Sequence, residues 1–220
     1  MVLDGVSVLE PTLKSRITYH VTQSIHGGDG YQKEDFYNPP PRDQDDRGDE
    51  KWEREDENRR KVLQAFGEVT ERKEKFIKHF VEQGEPIPLW AAIEVIPLGT
   101  FSRFVRSLRD AAALDCAAKS LELEDREKLM QAIQNIAFIR NISAHHGRLW
   151  NRKFDGWVTL PAVALRVKRG YLHPKTPAAA LTLLAGMVDQ VEKSSSFSEA
   201  LLDLVHENHD LAEGYYRPIL

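Results

Sequence analysis

Apolar positions in this chain recur mostly at steps of three and four, the period of a helix lying on a core. Val62, Ala65, Phe66, Val69, Phe76 and Phe80 form one such stripe, broken only at Lys73, and predict a single long helix ending at Gly84. Before it, Leu3 to about Ser24 reads as a helix that Pro11 would break or kink. Residues 26–48 combine glycines, three consecutive prolines and a run of acids, and predict a loop. Leu89 to Ile96 is a short apolar stretch in which Trp90 reads as core. A helix is expected over Thr100 to Leu108, with Arg103, Arg106 and Arg109 as a basic ridge, and a small Ala-rich one over Ala111 to Lys119.

Glu124 to about His146 predicts the next long helix, with Leu129, Ile133 and Ile136 on its buried stripe. Thr176-Pro177 is a suitable N-cap and first-turn pair for an apolar helix running to about Val191. Ser196-Phe197-Ser198-Glu199 has capping-box form and opens what reads as the last helix. Gly156 to Val167 has some β-like character, but Pro161 argues against a sheet there. The expected fold class is therefore all-α: a helical bundle with a basic, loosely structured region and further helices at the C-terminal end.

Charge sharpens this picture. The formal net charge is −4, yet residues 140–175 hold eight Lys/Arg against the single acid Asp155, so this stretch is +7 and the remainder −11. Local fields rather than the total decide what docks at a surface. One cysteine, Cys116, excludes an intrachain disulfide. No apolar run approaches the roughly 20 residues of a membrane span, and residues 1–10 do not resemble an export signal. A cytoplasmic address with no membrane partner is expected.

Candidate chemistry concentrates between Arg140 and Lys153. One step beyond Ile136 on the buried stripe falls Arg140, whose guanidinium keeps its charge and so calls for a partner or an anionic ligand. Asn141 and His145 stand four apart on a neighbouring face, and Arg148 joins that line if the helix passes Gly147. Such groups suit RNA cleavage without a metal or other cofactor. An imidazole can take a proton from a ribose 2′-OH, and a guanidinium can stabilise charge on a five-coordinate phosphorus. The same spacing also fits a capped helix end with satisfied polar side chains, and Arg72 and His79 show how readily it arises by chance. The paired His145-His146 offers no metal site, since neighbours on a helix diverge by about 100°. His206 and His209 have ligand spacing without an evident third ligand. Trp150, Trp157 and Tyr171 could stack on unpaired bases, or the two tryptophans could pack the tail against the bundle.

The run Ile139-Arg140-Asn141-Ile142-Ser143-Ala144-His145-His146-Gly147-Arg148-Leu149-Trp150-Asn151-Arg152-Lys153-Phe154 closely resembles the signature of bacterial Abi-like abortive-infection proteins of the AbiD/AbiF type. Looser blocks at Leu13–Val21, Phe76–Phe80 and Pro88–Ser102 keep the same order. That family is similar to the HEPN superfamily of helical bundles. The resemblance implies an Abi-like/HEPN-type helical domain over 1–155 and a C-terminal extension with two helices over 156–220. It also implies that the chain lacks a helical segment the family carries before the Leu13 block, and Pro11 replaces an apolar helical residue. Arg140, Asn141 and His145 map onto the catalytic motif. His146, Arg148, Asn151, Arg152 and Lys153 would contact RNA, with Glu10 and Arg16 as support. The implied function is a metal-independent endoribonuclease in phage defence or a toxin, working as a homodimer, with an antitoxin or non-coding RNA as further partner. The alternative is a non-catalytic RNA-binding or regulatory defence protein of the same fold.

Overall fold

The computed structural model describes residues 1–23, 30–38 and 50–218. It is all-α, with eleven α-helices and no strand among the described residues; one isolated antiparallel bridge joins Tyr37 and Leu108. No described helix is long and apolar enough to cross a membrane. The contacts divide the chain into two compact units, Met1–Leu13 with Ala117–Leu220, and Lys14–Cys116. Helix α1 (Val2–Thr22) contributes to both and runs through Pro11 without interruption. The expected break does not occur. Pro11 is exposed, so water can reach the backbone carbonyl its missing N–H leaves unpaired.

The second unit comprises the end of α1, helices α2 (Glu50–Gly67), α3 (Lys75–Gln83), α4 (Leu89–Val95) and α5 (Leu98–Ser107), and α6 (Ala111–Ser120) as far as Cys116. The stripe expected to form one helix to Gly84 is split. After α2 the chain tightens into a 3₁₀ turn (Glu68–Glu71), and Arg72 and Glu74 are extended before α3 begins. This passage resets the helical phase: Val62, Phe66 and Val69 are buried, but beyond the break Ile77 takes the core position and Phe76 is exposed. Gly84 adopts φ +65°, a left-handed C-terminal position that suits glycine.

One further expectation fails here. Trp90 is 54% exposed, because Leu89, Ala91, Ala92 and Ile93 already fill the inward arc of α4; its ring meets Phe80 edge-on. The acidic loop also contributes to the core: residues 24–29 and 39–49 lie outside the described residues, but between them Tyr31 and Tyr37 are fully buried. Tyr31 donates to Ile87 O (2.9 Å) and Tyr37 to Tyr31 O (2.5 Å). Burial holds the Tyr37 phenol protonated, far above the usual tyrosine range. Lys14, 4% exposed, donates to the carbonyl of Ile96 (2.9 Å) just past the end of α4.

The first unit is built around α9 (Pro177–Glu192), in which every residue from Pro177 to Val188 is buried. A helix apolar on all sides belongs at the centre of its unit. Its start is as read: Thr176 Oγ1 accepts from Ala179 N–H. Around it pack α7 (Arg126–Ala144), the short α8 (Ala162–Leu165), α10 (Ser196–His206) and α11 (His209–Tyr216). A Cβ at Gly186 would come within 2.5 Å of Ala164 Cα, so the close approach of α8 to α9 requires glycine there. The last helix is thus α11, not α10, and residues 156–220 hold four helices rather than two. Asn208 caps α11 by accepting from Asp210 N–H (2.8 Å) and Leu211 N–H (3.4 Å). At α10 the N-cap position is Ser195, one residue earlier than read, and its hydroxyl donates to Glu199 Oε1 (2.7 Å) rather than capping a backbone N–H.

Candidate nucleic-acid interface

Helix α7 starts on Asp125, whose carboxylate accepts from Lys128 N–H at 2.8 Å. It buries Leu129, Ala132, Ile133, Ile136, Ala137 and Ile139. Ile139 rather than Arg140 completes the buried stripe, and Arg140 lies half-buried at its margin. Its Nη1 donates to Asn141 Oδ1 at 3.3 Å, and it has no ion pair among the described residues. Asn141 is exposed.

The helix does not pass Gly147. His145 is its C-cap (φ −95°, ψ 20°), and His146 takes the left-handed φ of +54°. His146 N–H reaches Ser143 O (3.2 Å) and Gly147 N–H reaches Ile142 O (2.7 Å), the paired bonds of a Schellman ending. A Cβ on Gly147 would sit 2.9 Å from both Ile142 O and Ile142 Cγ2, so the turn closes only with glycine. The condition for Arg148 to join the line of Asn141 and His145 is therefore not met. Its guanidinium lies over the Trp150 ring, 5.7 Å from the centroid. His145, His146, Arg148, Arg152 and Lys153 are all exposed, and none has an acidic partner among the described residues.

The segment carrying these cations is anchored from below. Trp150 donates its indole N–H to Asp210 O (3.2 Å) on α11 and lies so close to Gly214 that a Cβ there would be 2.1 Å from Nε1. Asn151, half-buried and with φ +54°, donates its backbone N–H to Gly214 O at 2.9 Å. Phe154 is buried edge-on against Phe138, and its N–H reaches Lys175 O (2.9 Å). Trp150 thus packs the tail against the unit, whereas Trp157 is 67% exposed and stands near Lys175. Glu10 is half-buried in the part of α1 belonging to this unit; Arg16 is exposed in the part belonging to the other.

The rest of the basic run is arranged differently. Arg166 pairs with Glu122 (3.6 Å) and Arg169 with Asp203 (2.7 Å). The Glu122 carboxyl is held below the usual range by hydrogen bonds from Gln190 and Lys193 and by the charges of Lys193 and Arg166.

A second group of polar residues gathers at α11, which hydrophobic patterning did not reveal. A cleft of about 560 Å³ there is lined by Arg169, Tyr171, His206, His209, Tyr216 and Arg217 among others. His206 Nδ1 is engaged with Leu202 O at 2.6 Å. His209 has ligand atoms within 4.8 Å of Asp210 and Glu213, all three side chains being exposed, which supplies the acidic neighbours that the histidine spacing alone did not show. The signal that could have located α11 is Asn208 followed by Asp210, a cap and a first-turn acid.

Compared with known proteins, residues 1–151 match the family model described as Abi-like protein. No curated protein and no solved structure matches the chain.

Proposed function

This chain belongs to the Abi-like protein family, and on that footing we propose that it is a metal-independent endoribonuclease of the HEPN type acting in abortive infection, the phage-defence role the family suggests. The observation that carries the reading is the rim Arg140–Lys153, where a half-buried guanidinium and three exposed cations without acidic partners flank an exposed imidazole at one helix end. Guanidinium groups without an acidic partner match the geometry and charge of phosphate.

In this reaction His145 takes the proton from a ribose 2′-OH, and the 2′ oxygen attacks the adjacent phosphorus. Arg140 stabilises the extra negative charge of the five-coordinate state. Asn141, bonded to Arg140, orients that guanidinium. The bond from phosphorus to the 5′ oxygen breaks, and the leaving oxygen receives a proton from an imidazole. A homodimer that sets two such rims side by side supplies one imidazole for each proton transfer. The products are a 2′,3′-cyclic phosphate and a 5′-hydroxyl, and DNA, lacking the 2′-OH, is spared. Arg148, Arg152 and Lys153 hold the RNA backbone, with His146 and Asn151 shaping the turn between them. An antitoxin or a non-coding RNA would restrain the activity in the cell.

The test is cleavage of end-labelled single-stranded RNA in EDTA by the full chain, His145→Ala and Arg140→Ala, each checked for folding and oligomeric state. Cleavage leaving cyclic-phosphate ends, lost in both variants, is the expected result. Salt-sensitive RNA binding without cleavage in the wild type would replace this reading with a non-catalytic RNA-binding role.

A further inference from the structure

The cleft beside α11 lies wholly beyond residue 151, outside the family match, and it takes no part in the rim. Its volume of about 560 Å³ falls within the ~300–1,000 Å³ range of small-molecule pockets. Two kinds of group line it. Arg217 is exposed and has no ion pair among the described residues, and Arg169 gives only one side of its guanidinium to Asp203. Two tyrosines accompany them: Tyr171, 81% exposed, and Tyr216, whose ring lies 5.3 Å from that of His206. A carbonyl can only accept, so the bond to Leu202 O places a hydrogen on His206 Nδ1 and leaves Nε2 for another partner. Glu213 is the one acid among the described lining residues.

Arginines that can grip phosphate, with aromatic rings beside them, select a ligand that is both flat and anionic. We propose that this cleft binds a nucleoside phosphate, with Arg217 and Arg169 on the phosphate and Tyr171 and Tyr216 on the base. The ligand is either a free nucleotide or one unpaired nucleotide of an RNA strand, and the inference stands independently of RNA cleavage at the rim.

The test is calorimetric titration of the full chain, in EDTA, with adenosine monophosphate, with a 2′-O-methylated single-stranded RNA tetramer that cannot be cleaved, and with inorganic phosphate. Tyr171→Ala and Arg217→Ala change exposed side chains, and circular dichroism verifies their folding. The expected result is binding of the monophosphate or the tetramer that each variant weakens about tenfold, as loss of one stacking or phosphate contact implies, and that Arg140→Ala leaves unchanged. Binding of the monophosphate identifies a free nucleotide as a ligand; binding of the tetramer alone identifies RNA. The proposal is overturned if neither binds at millimolar concentration, if the cleft variants bind as well as wild type, or if inorganic phosphate binds as tightly as the nucleotide.

Discussion

The two halves of the basic run, 140–153 and 166–175, look alike as strings of residues and differ as surfaces. In the second half Arg166 and Arg169 face Glu122 and Asp203, and Lys175 lies against Trp157. In the first half Arg140, Arg148, Arg152 and Lys153 have no acid within reach among the described residues. The acids that pair with Arg166 and Arg169 come from residues 122 and 203, remote in sequence, so a local count of charges could not see them. What separates a docking surface from a solvated face is the supply of partners: all four cations of the first half lack an acid, whereas in the second half Arg166 and Arg169 have one.

That contrast can be broken most directly at the rim itself. His145→Ala is expected to lower RNA cleavage by about 10²- to 10⁴-fold, the range for losing a general acid–base group, and Arg140→Ala by about 10²- to 10³-fold, the range for losing one donor to the transition-state charge. Their unfolding free energies should move by no more than about 0.5 kcal/mol, since neither side chain is buried in the core. Arg166→Ala, measured in parallel, should cleave like wild type; a comparable loss there would erase the distinction between the halves.

Gly147→Ala probes the turn rather than the chemistry. Its Cβ meets Ile142 in the Schellman ending, and overpacking of this kind costs about 1–3 kcal/mol. Urea denaturation should show that loss, with a fall in cleavage as the rim shifts. Wild-type stability would mean that the turn yields without strain.

Arg152→Ala and Lys153→Ala should each weaken RNA binding and reduce the slope of log affinity against log salt by about 0.7, the value for one phosphate contact on a single strand. Arg166→Ala should leave the slope untouched and change stability by about 0–1 kcal/mol, as for an exposed ion pair. Titrations at several salt concentrations separate the two outcomes.

The smallest effect concerns pH. Because the folded Glu122 carboxyl is held below its usual range, its contribution to stability is present above the unfolded carboxylate value, about 4.3, and is lost as pH falls through the folded one. Melting curves of wild type and Glu122→Gln should therefore differ slightly at neutral pH and converge in acid. A gap that widens in acid would contradict the assignment.

Several features were legible from residue patterns. Thr176-Pro177 located the start of α9, and the apolar run behind it marked a buried helix. Gly147 was itself a helix-stop signal, and the end of α7 near His146 was legible; the left-handed conformation at His146, on a side chain that tolerates it, closes the helix. Helix α11 escaped because the one residue it buries is Gly214, which carries no hydrophobic signal and matters through the space it leaves for Trp150. Tyr31 and Tyr37 escaped because proline, glycine and acids around them mark a loop, and a loop can still insert two aromatic rings whose hydroxyls find backbone carbonyls. The α2–α3 stripe misled because a short extended passage can shift helical phase while preserving the spacing of apolar letters. For the rim, residue types and their order were readable, but which cations lack partners depends on long-range contacts.

The seating of Trp150 on Gly214 bears on how this protein can be handled at the bench. A chain cut at residue 151, where the family match ends, would retain Arg140, Asn141, His145 and Arg148 but lose α9 and α11. Helix α7 would then present to water the side it packs on α9, and the indole would have no seat. Such a fragment should collect in inclusion bodies or be degraded in the host, and its inactivity would say nothing about the chemistry of the residues it kept.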